Sequence, residues 1–106
     1  MKKKKTARLR ELLARPGVLV MTMCYDSISA RLVERAGFDV VGVTGAGVSA
    51  SMLGRSDVGF LTMTEMVWQV RNMAKAISVP LICDAETGYG NPVIVMRCIN
   101  EFESAG

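Results

Sequence analysis

Histidine is absent from the chain, which excludes His-based catalytic triads and His-ligated zinc within these 106 residues. Cysteine is scarce. Cys24, Cys83 and Cys98 are widely spaced with no Cys-x-x-Cys pair, a pattern of free thiols in a reducing compartment rather than of a disulfide framework. Aromatic residues make up 6% of the sequence, which argues against a nucleic-acid binder built on base stacking and for an aliphatic α/β core over a β-sandwich. No apolar run is long enough to span a bilayer. The basic N-terminus is not followed by the apolar core of a secretory signal. These absences predict a soluble, cytoplasmic protein with no membrane partner and no nucleic-acid partner.

The length suits one small domain with a modest core. The net charge of +3 owes much to Lys2–Lys5, so residues 1–5 are expected to form a solvated, disordered basic tail. Residues 6–106 form the domain. Thr6 can cap a helix to Ala14 that carries Leu9, Leu12 and Leu13 on one stripe, and Pro16-Gly17 ends it. Val18–Met23 reads as a first strand. Asp26 or Ser27 can cap a helix over 29–36, stopped by Gly37. Phe38–Val43 reads as a second strand and Val48–Leu53 as a short helix. A polar loop, 54–60, carries Asp57. Thr62, with Glu65 at the third helical position, writes a capping box for a helix to about Ile77. Val79–Asp84 reads as a third strand. Pro92 starts a last helix with Ile94, Val95, Cys98, Ile99 and Phe102 expected on its buried side. Strands alternating with helices predict a parallel sheet with right-handed crossovers. Three strands are few for a sheet buried on both faces, and a complete (β/α)8 barrel takes about 250 residues. The fold class is therefore α/β: a short helix and then three βα units of a (β/α)8 barrel, ending where a fourth strand would begin.

The third strand leads into Asp84-Ala85-Glu86-Thr87-Gly88-Tyr89-Gly90. On an extended backbone, positions i and i+2 share a face, so both carboxylates can reach one point, as a hard dication such as Mg²⁺ favours. Gly88 and Gly90 permit a sharp turn and a close ligand approach. Ligands of parallel α/β proteins gather at the C-terminal ends of strands. The plainer alternative is a turn in which Asp84 only bonds nearby amides. Gly45-Ala46-Gly47-Val48-Ser49-Ala50 fits a G-x-G-x-x-A pattern, but the acid that a dinucleotide site needs about 20 residues on is missing from the next strand end: Glu65 starts a helix and Asp84 lies too far along. The segment serves better as an anion cradle of helix-N-terminal amides and the Thr44 hydroxyl, or simply as a tight turn. Asp57 alone is a solvated loop acid, although adjacent second and third strands would bring its loop over Asp84 and Glu86. Arg55 reads as a surface charge, Trp68 and Tyr25 as packing residues, and Tyr89 as a pocket wall or rim. Cys83 reads as a small buried hydrophobe, and the eight methionines as core filler.

Several stretches, in order, resemble the isocitrate lyase and phosphoenolpyruvate mutase superfamily over about Ala7–Gly106. They are Tyr25-Asp26-Ser27-Ile28-Ser29-Ala30, Glu34-Arg35-Ala36-Gly37-Phe38, Thr44-Gly45-Ala46-Gly47-Val48, Leu53-Gly54-Arg55-Ser56-Asp57-Val58-Gly59 and, above all, 84–90. The subgroup most resembled holds 2-methylisocitrate lyases, oxaloacetate decarboxylases and carboxyphosphonoenolpyruvate phosphonomutase-like proteins. The resemblance implies a (β/α)8 barrel, a homotetrameric parent, a Mg²⁺ cofactor and a small 2-oxo or 2-hydroxy carboxylate as substrate. It implies that Asp84 ligates the metal. Glu86, where aspartate is common, supports it largely through water. Asp57 contributes as a catalytic-site acid. Thr44, Gly45 and Ala46 stand for a Ser-Gly-Gly type segment that binds the substrate carboxylate. The implied activity is that of the N-terminal part of a lyase cleaving a carbon–carbon bond through an enolate-like intermediate. Phosphonomutase-type carbon–phosphorus chemistry is the close alternative. The superfamily's glutamate after strand four, its gating loop with the lyase cysteine and its later arginine have no counterpart up to Gly106. A further reading is an incomplete barrel, inactive alone, that self-associates through an exposed sheet edge.

Overall fold

A computed structural model describes residues 3–106. Its elements run α1 (Lys5–Ala14), β1 (Thr22–Cys24), α2 (Ser27–Arg35), β2 (Val41–Val43), α3 (Gly45–Leu53), α4 (Met63–Ala76), β3 (Leu81–Cys83) and α5 (Pro92–Ala105). The strands form one parallel sheet in the order β1-β2-β3. Its ladder aligns Met23 with Gly42 and Gly42 with Ile82. Among the described residues no helix is long and apolar enough to cross a membrane.

Local chemistry accounts for most boundaries. Asp26 accepts from the Ser29 amide at 2.8 Å and completes a capping box with Ser29. Thr62 does the same with Glu65, as the sequence predicts. Asn91 caps α5, with Pro92 in its first turn. Thr6 caps nothing: it lies inside α1, whose N-cap Lys4 makes no side-chain capping bond. Of the expected tail, Met1 and Lys2 lie outside the described residues, whereas Lys5 opens α1 and donates to the carbonyl oxygens of Ala74 and, at 2.8 Å, Ile77.

The strands are shorter than the apolar runs that signal them. Only Thr22–Cys24 has a ladder partner, because β2 itself pairs over Val41–Val43. Val18 and Val20 stay exposed. By alternation, Cys24, Val41 and Val43 face the helices and join a core with Val48, Met66, Val70, Met73 and Ile77. Each buried methionine contributes about 1.5–3 kcal/mol. The buried stripe of α4 is the one its spacing predicts. On α5, Cys98 is buried but Ile99 is 55% exposed. The opposite sheet face carries Met23, Gly42 and Ile82. A methyl on Gly42 would lie 2.3 Å from the Met23 sulfur, so glycine is what lets the methionine cross the sheet there. Not all methionines are core filler, since Met21, Met23 and Met96 are exposed.

α2 is tied to the turn before β3 by one carboxylate. Glu34 Oε1 accepts from the Ser78 amide at 2.7 Å, from the Ser78 hydroxyl and from the Val79 amide at 3.2 Å. The Ser78 hydroxyl bond is the main cause that holds the Glu34 carboxyl below the usual glutamate range. A lowered folded-state value means that this stabilisation is present above the unfolded value and lost as pH falls through the folded one. Glu34→Ala is therefore expected to cost about 1–2 kcal/mol near neutrality. In thermal melts, the difference from wild type should shrink as pH is lowered below the ordinary glutamate range; a pH-independent difference would contradict the account.

Candidate metal and carboxylate site

The three strands end together, and the residues that follow them line one rim. The ladder continues one step, with the Thr44 amide donating to Cys24 O at 3.1 Å and the Asp84 amide reaching Val43 O at 3.5 Å. Tyr25, Thr44 and Asp84 thus share a rung, on the face of Met23, Gly42 and Ile82.

Thr44 closes β2 and caps α3. Its Oγ1 accepts from the Gly47 amide at 3.2 Å, and its carbonyl accepts from Val48. The amides of Gly45 and Ala46 fall in the first turn of α3, where an α-helix leaves its N–H groups without intrahelical acceptors. A helix N-terminus with free N–H groups favours an anion. Gly45 and Gly47 sit within this helix rather than in a loop before it. A methyl on Gly47 would meet Thr44 Cγ2 at 2.6 Å and Tyr25 Cβ at 3.0 Å, so this glycine serves close packing.

The two acids converge, but by a different route from the extended i, i+2 pair expected. β3 ends at Cys83, and Glu86 adopts φ +51°, in the left-handed region. Asp84 Oδ1 accepts from the Glu86 amide at 2.8 Å and holds that turn. The plainer reading of Asp84, as a carboxylate that bonds a neighbouring amide, is correct for this one oxygen. Its other oxygen is aimed elsewhere: a methyl on Gly45 would lie 3.2 Å from Asp84 Oδ2 and 3.3 Å from Glu86 Oε1. Both oxygens therefore approach the first residue of α3, where a side chain larger than glycine's would crowd them. Desolvation, then the charge of Asp84, then that of Asp57 push the Glu86 carboxyl above the usual range. Asp57 is exposed on the loop after α3 and acts on Glu86 through its charge. Among the described residues no three His, Cys, Asp or Glu side chains are gathered as a ready metal cage.

The donor set fits a hard dication. It is all oxygen, its acids repel one another, and it lies beside amides that suit an anion. A carboxylate ligand at those amides would face two carboxylates, and a cation between them removes that conflict.

The neighbouring residues divide differently from expectation. Burial, with smaller contributions from Asp84 and Cys98, pushes the Cys83 thiol up to about 12, so it is protonated and inert at neutral pH, although the residue is half-buried rather than buried as expected. Tyr89 stacks on Phe102, with centroids 6.4 Å apart, and is a packing residue. Tyr25 and Trp68 are not buried, at 44% and 58% exposure. Tyr25 stands at the rim, its carbonyl accepting from Gln69 at 2.8 Å. Trp68 lines an outer groove between α4 and α5 with Arg71 and Arg97. Arg55 places its guanidinium 5.3 Å from the Phe60 ring centroid, so it is more than a surface charge. Sequence reasoning passed over Ser49, which is buried behind the Asp57 loop; a polar residue at a helical position that faces the core was the available signal.

Comparison with known proteins gives this geometry a context. A family model described as phosphoenolpyruvate phosphomutase matches residues 9–106. A 2,3-dimethylmalate lyase of Eubacterium barkeri is 49% identical over 100 residues, which are 94% of this chain and 35% of that protein. The crystal structure of a phosphoenolpyruvate phosphomutase from Streptomyces platensis subsp. rosaceus superposes with a TM-score of 0.92 at 41% identity, over 97% of this chain and 36% of that one. A phosphonopyruvate hydrolase, solved in complex with oxalate and Mg²⁺, superposes with a TM-score of 0.92 at 32% identity, over 98% of this chain and 36% of that one. The chain thus spans about a third of the length of each. The fold is the expected segment of a (β/α)8 barrel.

Proposed function

The chain belongs to the phosphoenolpyruvate phosphomutase family, and on that premise we propose that it is the N-terminal part of a Mg²⁺-dependent lyase that cleaves a carbon–carbon bond in a small 2-hydroxy or 2-oxo carboxylic acid. The observation that carries the reading is the convergence of Asp84 Oδ2 and Glu86 Oε1 on the first turn of α3, against Gly45. The 49% identity to a 2,3-dimethylmalate lyase supports the lyase class. The Mg²⁺ and oxalate of the phosphonopyruvate hydrolase complex support the ligand pair.

In this reading Asp84 and Glu86 would hold the metal, which would supply Lewis-acid chemistry to a bound carboxylate substrate. The amides of Gly45 and Ala46 and the Thr44 hydroxyl orient the substrate carboxylate at the positive end of α3. Asp57 adds a third negative charge beside Glu86 and keeps the site selective for cations. Carbon–phosphorus chemistry is the second reading, favoured by the likeness to the Streptomyces phosphoenolpyruvate phosphomutase.

The test is calorimetric titration of the chain with Mg²⁺, alone and with oxalate. Saturable Mg²⁺ binding that oxalate tightens is expected. Absence of saturable binding under both conditions overturns the metal assignment. Incubating the whole protein with 2,3-dimethylmalate and, separately, with phosphonopyruvate distinguishes the two reactions by their products.

A further inference from the structure

Ser49 is the only polar side chain buried among the described residues, at 1% exposure. It sits on the buried side of α3, one turn on from Gly45. Its hydroxyl is shared between two carbonyl oxygens, Arg55 O at 3.1 Å and Ser56 O at 3.3 Å. Its own carbonyl accepts from the Arg55 amide at 3.4 Å. One residue of α3 thus grips the two residues that precede Asp57 from both sides. Ser56 O also accepts from the Val58 amide at 3.0 Å, which closes a three-residue turn with Asp57 at its centre. The hydroxyl of Ser49 therefore bonds the same oxygen that closes the Asp57 turn. A second strap, Arg55 over the Phe60 ring at 5.3 Å, spans the exposed loop from outside.

A buried hydroxyl costs free energy unless it is bonded, and a packed α3 would accept alanine at this position as readily. The bonds give the hydroxyl a purpose beyond packing. We propose that Ser49 is a positioning residue for the acid site: by anchoring the carbonyls of Arg55 and Ser56 to α3, it fixes the turn from which the Asp57 charge reaches Glu86. The inference rests on the metal-site reading above for its effect on ligand binding, but not for its effect on the loop. α3 presents the Gly45 and Ala46 amides at one end and holds the Asp57 loop through Ser49 and its C-cap, Gly54, near the other. The carboxylate cradle and the third acid are consequently set by a single helix.

The experiment measures two quantities in wild type and in the S49A, S49T, D57N and S49A/D57N variants. The first is Mg²⁺ affinity by calorimetry. S49A should weaken it about tenfold, at the low end of what outer-shell residues contribute. S49T, which keeps the hydroxyl, should restore most of it. In the D57N background S49A should change affinity little, because Ser49 acts through Asp57. The second quantity, read without metal, is backbone order from ¹⁵N relaxation. In S49A the amides of Asp57 and Val58 should fall from rigid values near about 0.85 toward about 0.6 or below, while those of α3 stay rigid. Equal loss of affinity in both backgrounds, or undiminished order at Asp57 and Val58, overturns the proposal. Should wild type fail to bind Mg²⁺ while S49A still releases the loop, the metal reading falls and the anchoring role of Ser49 stands.

Discussion

Asp84→Asn is expected to leave the chain folded while weakening Mg²⁺ binding by about a hundredfold or more, beyond what outer-shell substitutions reach. The two carboxylate oxygens have separate tasks. Oδ1 accepts from the Glu86 amide at 2.8 Å, a bond that an amide oxygen can keep. Oδ2 faces the start of α3 beside Glu86 Oε1, and the substitution removes its charge. Structure and ligation are therefore separable in one side chain. The metal-free protein should even gain slightly. Glu86 is held above the usual carboxylate range by desolvation and by the charges of Asp84 and Asp57. An acid with a raised folded-state value contributes stability below its unfolded value that is lost as pH rises through the folded one. At neutral pH the pair is thus a liability, and removing Asp84's charge lessens it. Both acids are exposed, so the gain should stay well under about 1 kcal/mol. Calorimetry and thermal melts of the same samples check both statements. Unchanged Mg²⁺ affinity would remove Asp84 from the site.

Gly45→Ala is the second large effect, and it tests the cradle rather than the acids. The added methyl would sit 3.2 Å from Asp84 Oδ2 and 3.3 Å from Glu86 Oε1. These are the free ends of exposed side chains, so they can give way by a few tenths of an ångström. Gly45 has no positive backbone angle to lose, and alanine has the higher helix propensity by about 1 kcal/mol. Stability should therefore hold or rise. The convergence point, however, would be filled by a methyl group. Mg²⁺ and oxalate affinity should both fall by at least about tenfold, a loss of roughly 1.4 kcal/mol or more. The contrast with a methyl at Gly42 is informative. A methyl there would lie 2.3 Å from the Met23 sulfur, inside the sheet layer, where added volume strains packing instead of ligand binding. Loss of fold in Gly45→Ala, or unchanged affinities, would contradict the assignment of Gly45 to the site.

Much of this architecture is written in local pattern. The capping box of Thr62 and Glu65, the buried stripe of α4 and the Pro92 start of α5 involve residues within a turn or two of each other, so the sequence states them directly. The places of Thr44, Gly45 and Ala46 after one strand and of Asp84 and Glu86 after another were legible too, because glycines and acids after apolar runs mark strand ends, whereas Asp57 by itself reads only as a solvated loop acid. Strand lengths were not. Val18 and Val20 have strand-forming side chains but no partner strand, and pairing is a property of the neighbour.

The sequence by itself determined the α/β alternation and most helix starts, though not that of α1, since each depends on spacing along a single backbone segment. The tertiary structure alone decided that Asp84 and Glu86 both face Gly45, some forty residues earlier in the chain. It likewise decided that buried Ser49 carries the Asp57 loop. The physical reason is common to both. A carboxylate's or hydroxyl's direction is set by which surface the parallel ladder and the packed helices bring against it, and no local period encodes that distance.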